Sequence, residues 1–120
     1  MTTVVSIISL PWPSRDLHPN ARVHWGQRAR AAKKARTDGA MATRAAGVRQ
    51  IDADRLKVTA TFCPPDRRAR DEDGMLSSVK SYFDGIADVI GVDDSRWSIH
   101  VRRDEPVKHG AVNIEIEVQA

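Results

Sequence analysis

The chain has 120 residues, of which 41% are hydrophobic and 29% charged, with a formal charge of +3 at pH 7. That length suits one domain over residues 1–120, and the composition fits neither a disordered chain nor a membrane span, which needs ~20 consecutive apolar residues. A single cysteine, Cys63, rules out an intrachain disulfide and a Cys-x-x-Cys zinc site, and the start MTTVVSIISLPWPSRD lacks the basic lead of an export signal, so a cytoplasmic protein with no membrane partner is expected.

In chain order, residues 3–10 (TVVSIISL) are β-branched and apolar, and Pro11-Trp12-Pro13 ends them because proline cannot donate to a strand ladder. Residues 14–25 have no sustained period and read as a loop, of a length that usually carries function. Residues 27–46 are rich in Ala, Arg and Lys and predict a helix, with Asp38-Gly39 as a candidate break. Leu56, Val58, Ala60 and Phe62 alternate with Lys57, Thr59 and Thr61, a half-buried strand, and Cys63 at its end reads as a core thiol. After Pro64-Pro65 comes DRRARDED, the most highly charged stretch. Across 73–90, Leu76, Val79, Phe83, Ile86 and Ile90 recur at spacings of three and four, the mark of one amphipathic helix, which Gly91 would close. Residues 97–103 and 112–118 alternate as two further strands joined across 106–110. The expected fold class is α+β, a single domain in β-α-β-α-β-β order with a small mixed sheet packed by two helices.

Positive charge is concentrated. Arg15, Arg22, Arg28, Arg30, Lys33, Lys34 and Arg36 face a single acid, Asp16, within residues 15–36, and Arg67, Arg68 and Arg70 form a second cluster. A polyanion such as DNA is the sharp reading, a solvated helix face the plain one. Trp12 and Trp25 flank the first cluster, available either for stacking on bases or for anchoring the core. His18 and His24 lie in the same loop and are candidates for touching DNA; none of the four histidines has metal-ligand spacing.

Asp71 and Asp73 are two residues apart where an extended segment meets a helix, so both carboxylates can point to one side, roughly 6 to 7 Å apart by Cα. Such a pair suits a hard divalent cation shared with a substrate phosphate; the plainer reading is helix N-capping, which needs only one aspartate. On a continuous helix, steps of seven and eleven residues return to within about 20° of the start, which would align Lys80 and Asp84 with Asp73. Lys80 and Asp84 would serve equally as a surface pair worth ~0.5 kcal/mol or less.

Taken together, Leu10-Pro11-Trp12-Pro13, the Pro19-Asn20-Ala21-Arg22 loop, the run from Asp66 to Asp73, Asp84-Gly85 and Asp93-Asp94 resemble the RusA family of Holliday junction resolvases, in the same order over nearly the whole chain. The resemblance implies a homodimeric, Mg²⁺-dependent crossover junction endodeoxyribonuclease of recombination and repair, often phage-borne, that binds four-way DNA junctions and nicks opposed strands. Mn²⁺ would be a substitute ion, and no small-molecule cofactor is implied. Its acidic residues map onto Asp71, Asp73 and Asp94, with Asp93 beside the last, as catalytic residues and metal ligands. Lys80 is the nearest counterpart of its lysine. Some members carry that lysine where this chain has Ser77, and most have Asn where it has Gly74. Arg15, Arg22, Arg28, Arg30, Lys33, Lys34, Arg67, Arg68 and Arg70 would grip phosphates. The alternative is a non-catalytic module that binds branched DNA through the same basic surface.

Overall fold

The computed structural model describes the backbone of residues 2–119 and side chains from residue 6 onward, so Met1 and Ala120 of the expected domain lie outside the described residues. Four strands form one mixed sheet: β1 (Thr2–Pro11), β2 (Leu56–Cys63), β3 (Trp97–Arg103) and β4 (Ala111–Gln119), ordered β1-β4-β2-β3 across the sheet. Three helices accompany it: α1 (Trp25–Ala45), α2 (Glu72–Ser78) and α3 (Lys80–Ile90). Single turns of 3-10 helix at Arg15–Leu17 and Asp94–Arg96 precede α1 and β3. The α+β class and the single mixed sheet match expectation. Among the described residues no helix is long and apolar enough to cross a membrane.

Period-two patterning sets the sheet. β4 runs antiparallel to both neighbours, placing Ile114 between Ile8 and Ala60, and Val112 between Leu10 and Phe62. These side chains face the helices and are buried, each larger one contributing about 1.5–3 kcal/mol by leaving water. On the other face, Ile7 and Ser9 are exposed and Lys57 pairs across the ladder with Glu117 at 3.7 Å.

The last two strands are not neighbours despite their short connection. β3 pairs in parallel with β2, on the side away from β4, and β4 inserts between β1 and β2. Apolarity explains the order. β4 supplies the fully buried Val112, Ile114 and Ile116 and takes an interior position, whereas β3 leaves Ser98, His100, Arg102 and Arg103 exposed and suits an edge.

The helix expected over 73–90 is divided. Val79 has φ −104° and ψ 5°, outside helical geometry, and separates α2 from α3. Ser78 Oγ bonds back to the Gly74 carbonyl at 2.8 Å, and the Val79 N–H reaches Leu76 O at 3.2 Å, tightening the final turn. The buried Val79 side chain holds the junction in the core. Among the described residues three helices therefore stand where two were expected.

α1 runs without interruption through Asp38-Gly39. Gly39 is a contact and not a hinge: a methyl group there would strike the Tyr82 carbonyl oxygen, and one on Gly85 would strike the Arg36 carbonyl oxygen. Backbone thus meets backbone where α1 crosses α3, and only glycine permits that approach. α3 in turn joins the sheet through Phe83, Ile86 and Ile90, with Phe83 edge-on to Trp97 at 5.4 Å.

Candidate functional site

Pro11 ends β1 and turns the chain outward, leaving Trp12 to pack edge-on against Phe62 at 6.0 Å. The Tyr82 hydroxyl donates to the Pro11 carbonyl at 3.0 Å, tying α3 to this exit, and burial pushes the phenol up to about 12. Over the Trp12 ring lies Arg70, its guanidinium carbon 5.3 Å from the ring centroid. Arg70 also donates to the carbonyls of Asp66 (3.1 Å) and Arg68 (3.0 Å) and pairs with Asp66 Oδ1 at 3.0 Å. The charged stretch is therefore folded around its own arginine. The Arg68 N–H on Asp66, helped by the Arg70 and Arg68 charges, holds the Asp66 carboxyl below its usual range.

This folding delivers Asp71 to the start of α2. Its Oδ2 accepts the Gly74 N–H at 3.2 Å, a standard N-cap. Glu72 and Asp73 follow in the first turn, exposed to solvent. His18 comes from the other side: its Nδ1 accepts the Asn20 N–H at 3.1 Å, which puts the proton of the neutral ring on Nε2. Nε2 points at Gly74, where an added Cβ would lie 2.8 Å from it and 3.5 Å from Asp71 Oδ2. Asp71, His18, Arg15, Arg68, Trp12 and Ser78 line a cleft of about 450 Å³. His18 was visible in the sequence only as one histidine of a basic loop, because its approach to Gly74 is a tertiary contact with no spacing to announce it.

Asp94 begins the 3-10 turn that Asp93 caps by accepting the Ser95 N–H at 3.0 Å, and Ser95, through its side chain first and this N–H second, holds the Asp93 carboxyl low. The electrostatic neighbour of Asp94 is Asp84, whose carboxyl is raised chiefly by burial and further by the negative charges of Asp94 and Asp88, while Arg36 and Lys80 oppose the shift. Asp71 is thus brought together with His18 in one cleft, while Asp94 and Lys80 lie near enough to Asp84 to act on its charge. Among the described residues, no three Asp, Glu, His or Cys side chains gather within reach of one ion.

The basic residues divide by what already holds them. Arg28 donates to the carbonyls of His18 (3.2 Å) and Ala21 (2.8 Å), and so pins the 14–25 loop to α1. Arg70 is a structural centre in the same sense. Lys34 pairs with Asp38 at 2.7 Å, Arg67 with Glu105 at 2.9 Å, Arg68 loosely with Asp66 at 3.8 Å, and Arg36 grips Asp88 through two bonds of 2.7 and 2.8 Å. Among the described residues, Arg15, Arg22, Arg30 and Lys33 are exposed and carry no acidic partner within ion-pair distance. Cys63 is buried, as read from the sequence, and desolvation raises its thiol.

No family model matches the chain. It is 44% identical over 113 residues to a Xylella fastidiosa (strain Temecula1 / ATCC 700964) protein described as an uncharacterized protein, a match covering 91% of this chain and 74% of the relative.

Proposed function

The chain belongs to the same family as the Xylella fastidiosa protein, and we propose that it is a Mg²⁺-dependent, structure-specific DNA endonuclease that resolves four-way junctions as a homodimer. One observation supports this above the others: Asp71 lines a cleft shared with Arg15, Arg68 and His18, with the exposed Asp73 two residues further on. Acidic oxygens beside cations suit a phosphodiester, because the arginines hold the phosphate that carboxylates alone would repel.

Asp71 and Asp73 fit the ion in donor chemistry. Asp71 keeps Oδ1 free of hydrogen bonds among the described residues while Oδ2 caps α2, and Mg²⁺ is commonly held by one or two carboxylates, with water and substrate phosphate completing its shell. When bound, the ion would supply charge stabilisation at the phosphate and help activate a water. Arg15 and Arg68 would bind and orient the strand. His18, with its proton on Nε2 in the same cleft, would donate to a phosphate oxygen. The family resemblance adds Asp94 and Lys80, which sit with Asp84. A junction with two-fold symmetry calls for two matched sites, for which an isologous dimer is the economical arrangement.

A second reading is favoured by the capping role of Asp71: a module that binds branched DNA without cutting it. Incubation of a synthetic four-way junction with the protein in Mg²⁺ separates the two. Paired nicks that vanish in Asp73→Asn while binding persists support the nuclease. Undiminished cutting by Asp73→Asn refutes the site, and tight binding with no cutting in Mg²⁺ or Mn²⁺ selects the binding module.

A further inference from the structure

We propose that Trp25 is a stacking platform for an unstacked nucleobase of the bound DNA; this rests on the DNA-binding reading above. The three tryptophans have different fates. Trp97 is buried, its indole N–H donating to Val92 O at 2.9 Å. Trp12 packs edge-on against Phe62 with Arg70 over its ring. Trp25 is 78% exposed, the most exposed of the large hydrophobic side chains described. Leaving an indole in water forfeits the largest burial any side chain offers, so nothing in the packing of the described residues accounts for its place.

The surroundings hold it ready. His24 caps α1 by accepting the Gly26 N–H on Nδ1 at 3.1 Å, and its ring lies 5.4 Å from the indole at 33°. Arg28, clamped on the carbonyls of His18 and Ala21, fixes the loop that leads into Trp25. A platform already in position loses little conformational freedom when a base arrives.

Charge identifies the occupant. Arg30 reaches back along the first turn, its Nη1 3.6 Å from where a Cβ on Gly26 would lie, and Arg15 and Arg22 are exposed on the preceding loop. The acid of this region, Asp16, is engaged by the Gln27 amide at 3.1 Å. A groove lined by Arg15, His18 and Arg22 adjoins the Asp71 cleft, which shares Arg15 and His18 with it. An aromatic face amid cations that line such a track matches a strand whose phosphates follow the arginines and whose base lies on the indole. A second copy of this chain fits poorly, because a two-fold contact at Trp25 would bring like cationic clusters together.

The test is binding of a four-way junction carrying 2-aminopurine at the branch point, in EDTA so that no cutting intervenes. Wild type should quench the probe. Trp25→Ala should bind about tenfold more weakly and leave the probe bright, with circular dichroism unchanged, and Trp25→Phe should restore much of both. Wild-type affinity and quenching in Trp25→Ala overturn the stacking role while leaving DNA binding intact. A lower sedimentation coefficient in Trp25→Ala at unaltered DNA affinity assigns the indole to a second copy and overturns it as well. Failure of wild type to bind any DNA removes the DNA reading itself, and the platform with it.

Discussion

Gly85→Ala offers the severest check on how the basic helix is set against the rest of the fold. A methyl group at this position would overlap the Arg36 carbonyl oxygen and lie 2.8 Å from the Ala40 amide nitrogen. Both obstacles are backbone of α1, so no rotamer change relieves them, and α1 must move away from α3. Overpacking of this kind costs about 1–3 kcal/mol, and overlap with rigid backbone places it at the upper end. Replacing a glycine inside a helix returns roughly 1 kcal/mol. The net loss is about 2 kcal/mol, or roughly 8 °C in Tm for a domain of this size. Gly26→Ala provides the control: it also adds a methyl to a helical glycine, but its nearest neighbour is His24 Nδ1 at 3.3 Å, a side-chain atom that can give. Urea and thermal unfolding of the two variants should therefore move apart, Gly85→Ala falling and Gly26→Ala staying near wild type. Equal stability of Gly85→Ala and wild type would show that α1 and α3 do not meet backbone to backbone.

Two further outcomes follow from the charged loop. Asp71→Asn keeps an N-cap acceptor and should unfold within a few tenths of a kcal/mol of wild type, whereas Asp71→Ala should lose about 1 kcal/mol; both should abolish junction cutting, so that retained stability with lost activity in Asp71→Asn separates the carboxylate's chemistry from its capping. Asp66 has its carboxyl lowered from 3.8 by the Arg68 N–H and the neighbouring arginines, so the folded state binds its proton more weakly than the unfolded chain does. The stability Asp66 supplies is therefore complete above that value and is lost as pH falls below it. Unfolding midpoints followed below pH 3.8 should drop more steeply for wild type than for Asp66→Asn, and parallel curves would contradict the assignment.

Local periodicity, and composition in the case of residues 27–46, made the strands and helices legible because each pattern is a property of one segment: Val58, Ala60 and Phe62 alternate whatever they pack against. Pairing order was not legible. Residues 97–103 and 112–118 alternate equally well, and only the competition for interior positions, which Val112, Ile114 and Ile116 win over a strand ending in Arg102 and Arg103, sends β3 to the edge. The break at Val79 was hidden for a related reason. Leu76, Val79 and Phe83 keep helical spacing across it, while the Ser78 bond to the Gly74 carbonyl that accompanies it leaves no mark on hydrophobicity. Gly39 read as a candidate break because a glycine's local signal is the same whether it bends a helix or admits a neighbour. The site followed the same rule: Asp71 and Asp73 announced themselves by adjacency, and His18, separated from Gly74 by the whole of the first helix and a strand, did not.

What joins these parts is the segment from Trp12 to Trp25. It leaves the sheet under Arg70, carries Arg15 and His18 past the start of α2, is fastened by Arg28, and ends in an indole open to solvent. Of the cations the sequence places near it, Arg28 and Arg70 hold the loops in shape and Arg15, Arg22 and Arg30 remain without acidic partners. The division predicts different salt behaviour. Removing a phosphate-gripping charge lowers the dependence of DNA affinity on salt, whereas removing a loop fastener weakens binding by disordering the surface and leaves that dependence largely in place. A basic run read as one undifferentiated DNA-binding surface is therefore two sets of residues with separate work, and the set free to meet a polyanion lies along the path from Asp71 to Trp25.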